Sequence, residues 1–521
     1  MKQTVSIDGF AGGINRRLPV SDIADNELVT ALNVELDRRA QLRTRNGMTQ
    51  IVTTGSSSPV KSIFHYRLSG GTDTVVANWG SKVYRFAAGG GAATDITGSL
   101  TIPSGAQWYW TVFNDVLIGV NGATSGDATV KLTSAAGTLA ALGGSPPRGK
   151  FCETWNNRVW IVDSSSPNVV KGSALGLHED WSTSGRAGTV SLAVGGNEGD
   201  LITGIKAHRG MLFVFKRRYV YVIVAGSPNT DVSQYEVRML SDRVGHIGGA
   251  TIQPLFDDLL FLSDYGVVSL NSVQQFGEFE RAVLSDKLPE ISDLPKSTTP
   301  YASVVHPGKG QYWLSVPTAT SGGLNAFVYV YDAANKAWTN FDGLVSGASY
   351  AVVYESGAPF VYVGGTAGNI YKYAADSAAV YSDAGTTYKK DIVTKALSFG
   401  EQLSRKEAFE YGMEFGADTT TIPLYISYRF DETDARMKTQ QITFTRIGTG
   451  GLWDVALWDS GTWVSELTPN LNLVRTFRGH PGRRFRTIQF RVQCIVDAIG
   501  FTFKRVAIDV GPLTRKHISA E

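Results

Sequence analysis

The chain has 521 residues, with 57 glycines, 24 phenylalanines, 21 tyrosines and 11 tryptophans but only 6 methionines, a balance that favours many short strands and tight turns over helices. Lys and Arg number 49 against 47 Asp and Glu, which excludes the strong charge bias of a bulk nucleic-acid binder or a membrane-surface protein. The 2 cysteines, Cys152 and Cys494, cannot make a zinc site alone, and folding in a reducing compartment is expected.

The opening Met1-Lys2-Gln3-Thr4-Val5 runs into Asp8-Gly9, so no signal peptide is expected, and no apolar run is long enough to span a bilayer. Residues 1–59 stand outside any repeat and read as a docking arm. Gly12-Gly13 starts the basic stretch Asn15-Arg16-Arg17-Leu18-Pro19. Asp25 is placed to cap a short helix over Asn26–Leu32, with Leu28, Ala31 and Leu32 on one face. Val34-Glu35-Leu36 and Gln41–Arg45 read as short strands ending at Asn46-Gly47.

From Val60 to Tyr373 one pattern recurs: an apolar strand, a turn rich in Gly, Ser, Asn or Asp, and a second strand carrying Val or Ile. Val83, Val130, Val169, Val220, Val268, Val328 and Ile370 anchor the second strands at spacings of roughly 40 to 60 residues, the length of a four-stranded propeller blade. Each blade needs neighbours on both sides, so residues 60–376 are expected to close into a ring. An open edge would invite aggregation, so the text before the first repeat, or that after Tyr373, should complete the last blade. The long interval from Gln274 to Pro300 places Leu284, Leu288, Ile291 and Leu294 at helical spacing and predicts a helical excursion. From residue 377 to 521 the period stops. Alternation at Leu424-Ile426-Tyr428, Ile488-Phe490-Val492 and Val506-Ile508-Val510 predicts an antiparallel β-sandwich of jelly-roll type. The expected fold class is therefore all-β: a β-propeller with an extended N-terminal arm and a C-terminal sandwich.

No catalytic constellation is legible. The 7 histidines are scattered, neither a nucleophile elbow nor a phosphate loop occurs, and no cofactor or metal is expected. Asp163, Asp264 and Asp332 could be paired on paper for glycoside hydrolysis, but each falls in a turn, where Asp is expected for backbone reasons. Trp458-Asp459-Ser460-Gly461-Thr462-Trp463 has the Gly-x-Trp end of a sialidase Asp-box without its Ser and spaced Asp, and it occurs once. Trp338, in Lys336–Asp342, reads as hairpin packing or as a sugar platform. Arg475, Arg478, Arg483, Arg484, Arg486 and Arg491 form a stretch with no acid between Glu466 and Asp497. It reads as a polyanion contact, a subunit interface or a solvated rim.

The run Phe10-Ala11-Gly12-Gly13-Ile14-Asn15-Arg16-Arg17, then Asp25-Asn26-Glu27-Leu28, Asn33-Val34-Glu35-Leu36 and Arg43-Thr44-Arg45-Asn46-Gly47, resembles the N-terminal signature of short-tailed bacteriophage tail-tube proteins, called nozzle, tail tubular or tail stabilisation proteins. Gln311–Pro317 followed by Val328–Asp332 and Ala337-Trp338 is similar to their blade signature. The resemblance implies a non-enzymatic virion-tail protein assembled in the host cytoplasm. It would form a homo-oligomeric, six-fold ring next to adaptor or portal-proximal proteins and tail fibre or tip proteins, lining or gating a channel for double-stranded DNA. On that expectation Phe10, Ile14, Arg16, Arg17, Leu28, Leu32, Arg43 and Arg45 are interface candidates, and the arginines from 475 to 491 face the lumen or a neighbouring subunit. A carbohydrate- or receptor-binding tail protein and a propeller hydrolase are the alternatives.

Overall fold

The computed structural model describes residues 3–183, 186–192, 199–225, 231–271, 283–296, 301–399, 405–417, 421–433, 437–445, 470–476, 484–495 and 498–512. The chain forms two compact units, one of residues 49–329 and 343–373, the other of 1–48, 330–342 and 374–521.

The first unit is a β-propeller. Its blades begin with inner strands Val60–Arg67, Tyr109–Phe113, Gly149–Trp155, Ile202–His208, Gln253–Leu255, Ala302–His306 and Ser349–Glu355, and each pairs antiparallel with the next strand of its own blade. Hairpins such as Asn114-Asp115 and Asn156-Asn157 hold both turn residues at positive φ, the twist that matches two right-twisted strands. Apolar faces meet between blades. Tyr66, Val76 and Val83 pack with Trp108, Trp110 and Leu117, and Trp155, Trp160 and Val170 pack with Ile205, Val214 and Tyr221. The ring closes with the text before the first repeat. Strand Met48–Val52 lies beside Ile370–Tyr373 in the last blade, and Val52 joins Val60, Val353, Tyr362 and Ile370 in one cluster. The long interval contains a single-turn helix, Pro289–Ser292, with Ile291 buried; residues 272–282 and 297–300 lie outside the described residues.

The second unit is an antiparallel β-sandwich. In one sheet Lys406–Ala417 pairs with Asn470–Thr476 on one side and Phe501–Pro512 on the other. In the other, Lys390–Thr394, Ile488–Cys494, Thr421–Phe430 and Met437–Thr445 lie side by side. Tyr411 of the first sheet meets Tyr428 and Phe490 of the second at 5.7 and 5.5 Å between ring centroids.

The N-terminal arm belongs to this sandwich down to residue 48 and then supplies the strand that closes the propeller. Gln3–Asp8 pairs with the final strand, and Leu42–Thr44 pairs with it further along. The helix expected over Asn26–Leu32 is a strand, Glu27–Leu32, antiparallel to Lys390–Thr394. A helix of seven residues is marginal alone, Val29-Thr30 is β-branched, and pairing satisfies the backbone. The Glu27 carboxylate takes the Ala24 N–H and the Asn15 side-chain amide, each at 2.8 Å.

Candidate binding site

The arm residues expected at an interface are mostly core, which corrects that expectation. Phe10, Ile14 and Leu28 are fully buried, and Phe10 stacks on Phe503 at 4.9 Å. Leu32 is half-buried in its strand. Arg45 is buried completely: two nitrogens reach the Asp383 carboxylate at 2.9 and 2.7 Å, Nε reaches Asn33 at 2.9 Å, and the guanidinium lies 3.7 Å over the Tyr388 ring. Arg43 is 3.5 Å from Asp376. Only Arg16 and Arg17 are exposed, and Arg16 Nε donates to the Val29 carbonyl at 3.2 Å. Gly13 sits at φ +60 with no room for a side chain, since a Cβ would come within 2.7 Å of the Trp338 carbonyl.

The arginine cluster divides. Arg475 lies in a strand opposite Tyr411; Arg478 and Arg483 lie outside the described residues. Arg484 and Arg486 are exposed. Arg491 is spent inside the chain on Asp391, through Nε at 2.8 Å and Nη2 at 2.5 Å. Burial pushes the Asp391 carboxyl up, yet Arg491 and Lys389 together hold it below its ordinary value.

The three aspartates considered for hydrolysis are also engaged. Asp163 is 2.8 Å from Lys171, Asp264 is 3.2 Å from Arg217, and Asp332 accepts the Asn335 N–H at 2.9 Å. Trp338 is 1% exposed and packs on Tyr331, which removes it as a sugar platform. The segment Trp458–Trp463 lies outside the described residues. Among the described residues no group of three or more His, Cys, Asp or Glu could hold a metal, and no helix is long and apolar enough to cross a membrane.

What sequence reasoning missed is a feature repeated on the inner propeller strands. The register slips between Val60 and Ser62, between Gly149 and Phe151, and between Ile202 and Gly204. A β-bulge at the same place in three blades sets Lys61, Lys150 and Thr203 out of the regular alternation. Burial pushes both lysines below the usual amine range. The only signal in the sequence was a lysine at the second position of two repeats.

The inner strands of blades two to five border a cavity of about 180 Å³, lined by Tyr109, Glu153, Thr203, Lys206 and Gln253. Glu153 and Lys206 pair across neighbouring blades at 3.1 Å. Thr111 and Thr154 bond between blades at 2.8 Å. Cys152 is buried with Sγ 3.4 Å from the Tyr109 carbonyl, and burial raises its thiol well above the usual value, which makes it inert. Behind the wall, His246 is fully buried between Thr203 and Thr251, at 3.1 and 2.8 Å. Desolvation drives its pKa down to about 3 against the upward pull of its hydrogen bonds, so the imidazole is neutral at neutral pH.

No family model and no curated protein matches the chain. Solved structures do. YCF48 bound to D1 peptide is similar at 9% identity and a TM-score of 0.41, over 64% of this chain and 96% of that one. YCF48 from Cyanidioschyzon merolae is similar at 12% identity and a TM-score of 0.39, over 63% and 98%. At these identities the likeness is one of fold. It also corrects the expected role. These two are YCF48 proteins and not phage tail rings, so the nozzle function and the alternatives tied to a tail are not carried further.

Proposed function

We propose that this chain is a non-catalytic binding scaffold whose propeller takes a polar partner against the inner strands of blades two to five. The observation that supports this reading is the make-up of the cavity wall. Glu153 and Lys206 neutralise one another, Cys152 is buried against backbone carbonyls, and the Thr203 hydroxyl donates to the His246 carbonyl at 2.8 Å. Nucleophilic chemistry needs a nucleophile with a base in reach, and acid–base chemistry needs a group poised near the working pH. His246, the one imidazole beside the wall, is held neutral between two threonines. What the wall presents instead is hydrogen-bonding capacity, from Gln253, Tyr109 and the partly buried ion pair, which suits recognition.

Two measurements test the reading. Nitrophenyl acetate, phosphate and glycosides should show no turnover above that of the Glu153→Gln protein; turnover that this substitution abolishes overturns the scaffold reading. Amine labelling of Lys206 should be slower in protein isolated with its native partners than in the recombinant chain alone. Equal labelling would place the partner elsewhere and refute the assignment of this surface.

A further inference from the structure

The fourth propeller blade ends in an outer strand unlike those of the blades before it. Its strands Ile202–His208, Met211–Lys216, Val220–Val224 and Glu236–Ser241 pair in that order, and among the described residues no strand pairs with the far edge of the last. The outer strands of the first three blades, Thr94–Asp95, Ala140–Ala141 and Gly188–Ser191, run for 2, 2 and 4 residues, whereas this one runs for 6. Short edge strands, Pro, Lys and bulges are the usual means by which a sheet avoids pairing with another chain. Glu236–Ser241 contains neither Pro nor Lys. The one bulge in its pairing lies at Leu240, between Met239 and Ser241, which leaves Glu236–Met239 in regular register.

Side chains along this strand divide between two faces. Val237 and Met239 stand opposite Ile223 and Tyr221, on the face towards blade three. Glu236 and Arg238 stand opposite Val224 and Val222, on the face towards blade five. Neither face is covered at the outer strand: Val237 is 39% and Met239 56% exposed, and the side chains of Glu236 and Arg238 are 57% and 60% exposed. The two charges are joined, with Arg238 Nε and Nη2 each donating to the Glu236 carboxylate at 2.6 Å. Arg238 is the only cation in the strand, so the edge carries no net charge that would repel a copy of itself.

From this edge we infer that the outer strand of blade four is a dimerisation surface, on which a second copy of this chain pairs antiparallel through the same strand. A two-fold axis between two such strands sets one residue opposite its own copy, and the choice of that residue decides the register. Centred on Arg238, the pairing brings two guanidinium groups together. Centred on Met239, it sets Arg238 against Leu240, with no carboxylate opposite. Centred on Val237, it sets Glu236 of each copy against Arg238 of the other, Val237 against Val237, and Met239 against Tyr235, whose backbone is extended. Glu236-Val237-Arg238 is thus self-complementary about its middle residue, which favours a copy of the same strand over a foreign one. Backbone groups on the open edge supply the hydrogen bonds, and Val237 and Met239 supply the apolar contact. The charges set register and orientation rather than strength, so Arg238 keeps its own Glu236. None of the inner-strand residues takes part, so this surface stands or falls separately from the binding reading above.

Sedimentation velocity of the full chain over a concentration series tests the inference. The wild type should pass reversibly from monomer to dimer, and amide exchange in Glu236–Met239 should slow as the dimer forms. Glu236→Arg and Arg238→Glu should each associate more weakly by roughly tenfold or more, since each sets like charges across the axis twice. An equimolar mixture of the two variants should regain the wild-type affinity as a heterodimer. Rescue in the mixture separates the interface from the loss of the pair within one chain, because neither variant has that pair. A wild type that stays monomeric throughout, a dimer that either variant forms as well as the wild type, or a mixture that associates no more tightly than its components overturns the inference.

Discussion

His246 should make the propeller acid-labile in a way that can be read locally. The imidazole is fully buried with both ring nitrogens engaged by threonine hydroxyls. Its folded pKa is about 3, against about 6.5 in an unfolded chain. The folded state therefore binds fewer protons than the unfolded one between these values, and stability rises with pH there. The contribution is complete above pH 6.5 and is lost as pH falls towards 3. At about 1.4 kcal/mol per pH unit, going from pH 7 to pH 5 should cost roughly 2 kcal/mol, or about thirtyfold in local opening. A chain of two units does not unfold in one step, so a global midpoint is the wrong readout. Hydrogen exchange of the amides in Ile202–His208 and Asp258–Ser263, corrected for intrinsic rates, reports the right region. His246→Gln keeps a donor and an acceptor but cannot titrate. Protection in the wild type should fall about thirtyfold more than in the variant over this interval. An equal fall in both proteins would refute the assignment of the acid sensitivity to His246.

Arg45→Met should destabilise the sandwich by about 3–5 kcal/mol, because Asp383 is left buried without its counter-charge; Arg45→Met with Asp383→Leu should recover much of the loss, and urea titration followed by hydrogen exchange in Lys390–Thr394 reads both. Deleting residues 1–20 should unfold the sandwich, since it removes the edge strand Gln3–Asp8 together with Phe10 and Ile14; wild-type exchange protection along Phe501–Pro512 in the truncated chain would contradict this. Val52→Asp places a charge in the closing strand at a position 1% exposed, so protection should drop in the first and last blades before the others; a uniform or absent change would count against closure there. Lys61 and Lys150 should acetylate with pH midpoints below that of Lys82, whose amine Asp95 holds above its ordinary value. Mass spectrometry across pH 8 to about 11 would expose the error if the three midpoints coincide.

The repeat that makes the propeller was legible because it is periodic and local. Each strand is apolar and short, and turns such as Asn156-Asn157 announce a hairpin twist that the neighbouring strands require. The alternation at Ile488-Phe490-Val492 likewise announced a sheet with one buried face. The arm was legible as a distinct piece of sequence but not in its role. Its Gly13, Asn33 and Arg45 stand out in the chain, yet nothing local says that Gly13 lies against Trp338 or that Arg45 meets Asp383. Those partners are more than three hundred residues away, and a capping Asp before Leu28 and Leu32 suits a short helix as well as a strand. Pairing with Lys390–Thr394 decided for the strand, because hydrogen bonds to a neighbouring chain segment outweigh the small intrinsic preferences of seven residues. The arginine cluster divides for the same reason: a run of like charges is one-dimensional, whereas Arg491 is paired with Asp391 on the adjoining strand. Composition and period thus determined that the chain is all-β and that its middle is a ring of blades. Only tertiary structure decided which strand closes that ring, which arm residues are core, and that bulges fall at Lys61, Lys150 and Val29, since register is settled between strands and not along them.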